Sequence, residues 1–444
     1  MNIIQALLDM GAVVVLPIII FILGLIFRLK PKEAFKSGLT IGIGFIGINL
    51  IIGMMVSNLG TATQKMSENF NLNLTTMDVG WPVEAAMSFA TPLVVWIFIL
   101  AIGINFIMLA LNWTNVMNVD LWNFWHFIFT GALVYYSTGS FVLAMIASAI
   151  TIIIILKLAD WAAPIISKYF GMEGVTFAHV ETINWLPVGY AINKLIDMIP
   201  VIKDIKIELK EKDNTSSLMS IFGDPAIMGL ILGVIIGCLA GYNWQAVLLL
   251  GINLAAVLFL MPRMTKLLME GLIPLSEAAQ EFMSSRFPGR KVYIGLDGAI
   301  AIGDPTIMSV GVMMVPMSLL LAVILPGNTM LPFADIGIIP ILLTWAIIPA
   351  KGNIFRAFIS SMIIMSLILL IGSSMAPLLT RVAGEVGFDI PKGVGSVSSV
   401  DAGSHVISYI MWKVFGIFKY DKYIFLLRKL TWIFSCQLFY IEIF

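Results

Sequence analysis

The stretch Gly295-Leu-Asp-Gly-Ala-Ile-Ala-Ile-Gly-Asp-Pro-Thr-Ile-Met308 sets two carboxylates, Asp297 and Asp304, at the mouth of a run, Pro305 to Ala334, that holds no charged residue. The glycines and the proline around these acids argue against a continuous helix and for a break or re-entrant turn. Such a turn is tolerated in a bilayer only where protein or a cavity covers its backbone. Three more uncharged runs, 85–119, 225–262 and 357–380, reach the roughly 20 residues that a bilayer crossing takes. Hydrophobic residues make up 59% of the 444-residue chain and charged residues 12%, about half the ~25% of soluble domains. Mean hydropathy is +0.99. The chain therefore reads as an all-α polytopic membrane protein, since a β-barrel would show short alternating segments.

Several function classes fall away. Net charge is zero, which gives no ground for nucleic-acid binding. Cys238 and Cys436 have neither a CxxC partner nor a histidine neighbour, so metal and redox chemistry lack support and Cys238 reads as a small buried hydrophobe. No GxxxxGK[ST] loop, arginine-rich voltage sensor or TVGYG-like filter is present. The first residues carry no basic region or small-residue cleavage site and read as a retained first helix.

Basic residues collect in cytoplasmic loops, and this orients the chain. A first span over about 10–27 is followed by Arg28, Lys30, Lys32 and Lys36, which places that loop inside and the N-terminus outside. A second span over about 37–56 leads to residues 57–80, where Lys65 is the single base, so that loop is expected outside. Lys203, Lys206, Lys210 and Lys212 put the middle of the chain inside. Residues 238–244 read as an outer turn, and the loop 263–291, with Arg263, Lys266, Arg286, Arg290 and Lys291, reads as inside again.

The two halves also echo each other. Glu84 stands eight residues before Pro92, as Asp297 stands eight before Pro305, and each proline opens an uncharged helix. Leu23-Gly-Leu-Ile-Phe27 resembles Leu232-Gly-Val-Ile-Ile236, and His179-Val180 resembles His405-Val406, in the same order along the chain. The basic loop of one half matches a neutral turn of the other, so the halves face opposite ways. Inverted repeats are typical of secondary transporters, with substrate near the midplane at broken helices. The expected layout is two inverted repeats, 1–205 and 218–418, with re-entrant segments and about eleven transmembrane helices. A cytoplasmic connector, 206–217, joins them, and an aromatic and basic tail, 419–444, stays unassigned.

Ionisable groups at membrane depth are costly and mark function. Asp304 can bind hydroxyls of a polar solute or cap the helix that Pro305 opens, and both can hold. Asp297 is open between the same kinds of role. Asp224, in Phe222-Gly-Asp-Pro-Ala-Ile-Met228, reads first as a helix cap at the inner surface. Glu84, in Trp81-Pro-Val-Glu84, reads as ligand-lining or as a buried structural acid. His126 sits in an apolar helix, where a neutral imidazole can donate and accept at once. The segment Phe177-Ala-His179-Val-Glu181-Thr-Ile-Asn184-Trp-Leu-Pro187 is too polar to face lipid and too apolar for an ordinary loop, so it reads as a second re-entrant hairpin with His179 and Glu181 at the site. Its repeat partner, Ser399-Val-Asp401-Ala-Gly-Ser404-His405, adds His405. The spacing of His126, His179 and His405 does not support a metal site.

Three segments, 287–316 (FPGRKVYIGLDGAIAIGDPTIMSVGVMMVP), 122–133 (WNFWHFIFTGAL) and 177–187 (FAHVETINWLP), strongly resemble the galactitol-type membrane subunit, IIC, of the bacterial phosphoenolpyruvate-dependent sugar phosphotransferase system. The resemblance covers about 1–416 and points to the ascorbate–galactitol branch. It implies a multi-pass cell-membrane permease, a homodimer whose sugar-carrying core moves as an elevator against a scaffold. Substrate contacts would fall on His126, His179 and Asp304, with residues near Glu84 also lining the site. The sugar alcohol would be phosphorylated by a separate IIB protein from a phosphocysteine, itself served by IIA, with no cofactor and no phosphoryl-transfer residue on this chain. The basic inner stretches 203–212 and 263–291 would dock those acidic partners. The alternative is an ion- or proton-coupled secondary transporter of an uncharged polar solute, which needs the same broken helices and buried acids. Residues 419–444 depart from the family pattern and carry no function here.

Overall fold

The computed structural model describes residues 12–26, 28–55, 57–58, 61–70, 74–118, 120–171, 174–200, 205, 225–286, 292–296, 298, 301, 304–388 and 394–417. Asp297, Asp224, most of the 203–212 stretch, Arg290, Lys291 and the 419–444 tail lie outside them.

Helices α1 (Ala12–Ile26), α2 (Pro31–Met55), α10 (Pro225–Leu239) and α11 (Trp244–Ser284) pack on one another as one group, with α3 (Thr61–Phe70) against α10. The remaining elements form a second group around two long helices, α7 (Phe141–Phe170) and α15 (Ile354–Glu385). Both long helices start at a side-chain cap that satisfies a free backbone N–H. The Ser140 hydroxyl accepts from Leu143 N at 3.3 Å and the Asn353 amide oxygen from Arg356 N at 3.3 Å.

By length and composition, three helices among the described residues can cross a bilayer: α2, α7 and α15. A fourth arises if the pair α4 (Trp81–Phe89) and α5 (Val94–Ala110) counts as one span, though it bends by 97°. The bend falls where Pro92 follows Thr91, as a proline in an apolar run dictates. Shorter apolar helices cover Gly229–Leu239, Trp244–Leu260, Ser309–Ile324 and Val406–Phe415.

The mostly helical expectation holds, and a few short strands are added to it. Among the described residues, six short strands form two parallel sheets. Strand β1 (Thr76–Asp78) lies between β5 (Met330–Leu331) and β6 (Ser396–Ser398), with Thr76 opposite both Met330 and Ser396. Strand β4 (Tyr293–Leu296) lies between β2 (Val116–Met117) and β3 (Val175–Phe177), with Ile294 opposite both Met117 and Val175. Each sheet thus takes its middle strand from one half of the chain and its edges from the other. The physical reason is the broken helices. Where the chain runs extended inside an apolar body, its N–H and C=O groups need partners, and a neighbouring extended segment supplies them. The Thr76 hydroxyl adds bonds of 2.8 Å to Thr329 and to Ser396.

Two smaller expectations change. The stretch 263–291 is not a loop along its length, because α11 stays helical to Ser284 and carries Arg263 and Lys266 on it. The expected turn after residue 238 does separate α10 from α11. Cys238, expected to be buried, is exposed on α10, away from the partners that helix packs on.

Candidate functional site

The polar residues of the second group converge from five segments. Asp78 ends β1, and its carboxylate accepts backbone N–H bonds from Gly80 (3.1 Å), Phe333 (2.7 Å) and Ala334 (3.0 Å). Asp335 accepts from Trp81 N at 2.8 Å and Asp401 N at 2.9 Å. These two buried acids tie the start of α4 to the segment after β5 and to the start of α16 (Val400–Ser404). Backbone donors are what make a buried carboxylate tolerable. Glu84 is buried on α4 with Asp335, Asp78 and Ser399 around it.

A chain of rings runs beside this acid group. A short 3₁₀ turn at Leu121–Phe124 leads into α6 (Trp125–Thr138), which carries His126. His126 Nδ1 lies 2.8 Å from His405 Nε2, and His405 Nδ1 lies 2.8 Å from the Asp401 carbonyl oxygen. On its other side His126 Nε2 approaches Glu181 Oε2 at 3.1 Å, off the direct N–H line. His179 stands between Glu181 Oε1 (3.7 Å from Nδ1) and Asp120 Oδ2 (3.5 Å from Nε2). Trp125 and Phe129 cover His405 with ring centroids 5.5 and 4.9 Å away.

Local structure explains why these groups meet. Glu181 lies on α8 (Val180–Ile183), a helix too short to bury a face alone, and α9 (Leu186–Asp197) restarts after it. The Asn184 amide between them donates to Ser404 O at 3.1 Å and accepts from Ile407 N at 3.2 Å, which pins the 177–187 segment to the α16–α17 junction. Helix α17 (Val406–Phe415) is held to α6 by Thr130 and Ser408, whose hydroxyls are 2.7 Å apart. Gly403 lets α16 lie on the backbone of α15, since a Cβ there would fall 2.0 Å from the Ile368 carbonyl oxygen.

The structure therefore brings His126, His179, Glu181 and His405 together, and places Glu84 in the adjoining acid group. Asp304 is elsewhere engaged. It is the N-cap of α12 (Pro305–Ile324), accepting from Ile307 N at 2.9 Å and from the Tyr169 hydroxyl at 3.2 Å. Asp297 lies outside the described residues, and the flanking Gly298 sits against Thr182.

Side-chain exposure separates the cluster. His126 and His179 are at 1% and 0%, His405 and Asp401 at 0%, whereas Glu181 keeps 14% and Asp120 26%. Sequence reasoning missed Asp78, Asp120 and Asp335. Their signal was weak but present: Asp335 closes the uncharged run 305–334, and Asp120 follows the run 85–119.

Two donor sets, His126 with Asp401 and His405, and His126 with His179 and Glu181, bring their ligand atoms within 4.8 Å. Sequence spacing did not anticipate this convergence. In the first set the ring nitrogens of His126 and His405 are turned on one another and on the Asp401 carbonyl, so that arrangement is a hydrogen-bonded chain rather than an open ligand set.

Known proteins resemble this chain along most of its length. Residues 6–393 match the family described as PTS system sugar-specific permease component, EIIC-GAT. The PTS system galactitol-specific EIIC component of Escherichia coli (strain K12) is 38% identical over 415 residues, which cover 94% of this chain and 91% of that protein. The protein of the same description from Escherichia coli O157:H7 matches equally. A putative permease IIC component from Escherichia coli (strain K12) is 36% identical over 397 residues, or 89% of this chain and 90% of that one.

Proposed function

This chain belongs to the EIIC-GAT family of sugar-specific permease components, and from that membership we propose that it imports galactitol or a related polyol. It is a membrane protein of the phosphotransferase system, working with IIB and IIA subunits. The observation that carries the substrate is the 38% identity, across 94% of the chain, to a galactitol-specific component. The chemistry agrees with it. A polyol offers hydroxyls and no charge, and the cluster offers carboxylates and imidazoles that can both accept and donate.

Within this reading Glu181 meets the sugar directly, and Glu84, His126, His179 and His405 form the wall behind it. Asp304, beyond its role as a helix cap, and Asp297 are the further sugar contacts of this reading. The chain is organised as two inverted repeats, 1–205 and 218–418, joined by 206–217, with about eleven crossings and an outside N-terminus. The exchange of middle strands between the two sheets supports the repeat, because a two-fold axis relating the halves would produce that pairing. The helix group of α1, α2, α10 and α11 is the scaffold and homodimer face, set in lipid. The site-bearing group is the part that moves as an elevator. The basic stretches near 203–212 and along 263–291 face the cytoplasm, where IIB docks.

Uptake into membrane vesicles tests the function. With IIA, IIB and phosphoenolpyruvate supplied, labelled galactitol should accumulate inside only as its phosphate. Accumulation of free galactitol without the phosphoryl donor would sink the reading in favour of ion-coupled transport. A competition series of hexitols and pentitols then fixes the polyol.

A further inference from the structure

The chain has 3 histidines in its 444 residues, and all of them are buried in one cluster. Two of them, His126 and His179, join Glu181 in a set whose ligand atoms lie within 4.8 Å of one another.

The neighbouring hydrogen bonds fix where the lone pairs of this set lie. The Asp401 carbonyl oxygen can only accept, so His405 Nδ1, 2.8 Å away, donates to it. A neutral His405 then presents Nε2 as an acceptor, and His126 Nδ1, at 2.8 Å, donates to it. His126 Nε2 is thereby a bare lone pair. It makes no hydrogen bond and faces Glu181 Oε2 at 3.1 Å, off the line that a bond would take. A lone pair and a carboxylate oxygen repel there unless positive charge lies between them. Two ligands of one Zn²⁺, each about 2.0–2.2 Å from it in a tetrahedral array, stand roughly 3.4 Å apart.

His179 completes the set from the other side. Its Nδ1 lies 3.7 Å from Glu181 Oε1, and its Nε2 lies 3.5 Å from Asp120 Oδ2. A metal-binding imidazole is oriented by an acceptor at its second ring nitrogen, and a ligating carboxylate by a further hydrogen bond. Each ligand here has such a support. His405 stands behind His126, Asp120 behind His179, and buried Asp401 hydrogen-bonds the Glu181 side chain. Two carboxyl groups bond through a shared proton, and with that proton on Asp401, Glu181 remains an anionic ligand. Glu181 and Asp120, with side chains at 14% and 26% exposure, give the set its approach from solvent.

We propose that His126, His179 and Glu181 form a binding site for a divalent transition metal of the Zn²⁺ class. Two imidazole nitrogens and one carboxylate make a three-ligand set whose fourth position water completes, a form that Zn²⁺ readily takes. Nitrogen donors select against Mg²⁺ and Ca²⁺, which prefer oxygen. The metal takes the Glu181 oxygens that the polyol would otherwise meet, so on the sugar reading above metal and polyol compete.

The test is a titration of purified full-length protein, freed of affinity tag and of bound metal, with Zn²⁺ and with Co²⁺. One Zn²⁺ per chain should bind, and Co²⁺ should give the visible absorption of a four-coordinate site, which Zn²⁺ then removes. Asp120→Asn should weaken Zn²⁺ by about 10–100-fold, the usual cost of losing a supporting partner, and Glu181→Gln and His179→Gln by more. Melting midpoints without metal show which variants fold. Asp120→Asn lies at the rim and carries the test if the buried variants do not fold. No Zn²⁺ uptake by the parent overturns the proposal, and so does an affinity within about three-fold of the parent in the folded variants. Galactitol binding is then measured with Zn²⁺ present, where a fall in sugar affinity is expected. Unchanged sugar affinity beside intact Zn²⁺ binding leaves the metal site standing and removes these residues from the polyol site.

Discussion

His126 Nδ1 and His405 Nε2 meet at 2.8 Å although 279 positions separate them. Both residues are fully buried. The contact joins α6 to the end of α16, so the site is assembled only when both halves of the chain have packed.

Replacing His405 by Phe keeps a flat ring among Trp125 and Phe129 but leaves His126 Nδ1 with no partner. An unsatisfied buried donor costs about 1–3 kcal/mol. His405→Phe should therefore melt lower in detergent and bind galactitol more weakly, since the His126 ring that faces Glu181 is no longer fixed in place. A parent-like melting midpoint would mean the two rings are not bonded in the folded protein.

Gly403 tests the close approach of α16 to α15. A methyl there would sit 2.0 Å from the Ile368 carbonyl oxygen, a contact that backbone must move to relieve. Gly403→Ala should cost about 1–3 kcal/mol by overpacking. It should also weaken polyol binding, because Asp401 and His405 ride on the same short helix. Gly103→Ala on α5 is the control: nothing lies within 4 Å of its added carbon, and alanine favours a helix by about 1 kcal/mol. Equal melting of the two variants would discard the packing argument.

Much of this was legible in the residues. Uncharged runs announced the membrane class, and the polar text at 177–187 announced a segment that could not face lipid, with 399–405 as its repeat partner. The partnership of those two segments was not legible, since no local pattern states that Asn184 bonds Ser404 and Ile407. The strands were hidden because they run only two to four residues, too short for any alternation to show. The division of labour among the polar groups was hidden too. Burial alone distinguishes Glu181 from the three histidines, and burial is a property of packing rather than of spacing.

Asp335 should prove structural rather than sugar-binding. It accepts from Trp81 N and Asp401 N, which belong to different halves of the chain. Asp335→Ala strands two buried backbone donors at about 1–3 kcal/mol each, enough to unfold many proteins of ordinary stability. Low yield and early aggregation on size-exclusion chromatography are expected. A well-folded Asp335→Ala protein that fails only in galactitol binding would move Asp335 into the sugar site.

Asp304 has two roles to separate, and two substitutions do so. As the N-cap of α12 it accepts from Ile307 N, a bond worth about 1 kcal/mol that Asn can also make and Ala cannot. Asp304→Ala should thus lower the melting midpoint while Asp304→Asn leaves it near the parent. If the carboxylate also closes over the polyol, Asp304→Asn should lose galactitol binding despite its intact cap. The Tyr169 hydroxyl, 3.2 Å from the same oxygen, gives the cross-check. Tyr169→Phe frees that oxygen without altering the cap, so it should leave stability unchanged and shift affinity only if Asp304 touches sugar. Parent-like binding in both Asp304→Asn and Tyr169→Phe would leave Asp304 as a helix cap and remove it from the site.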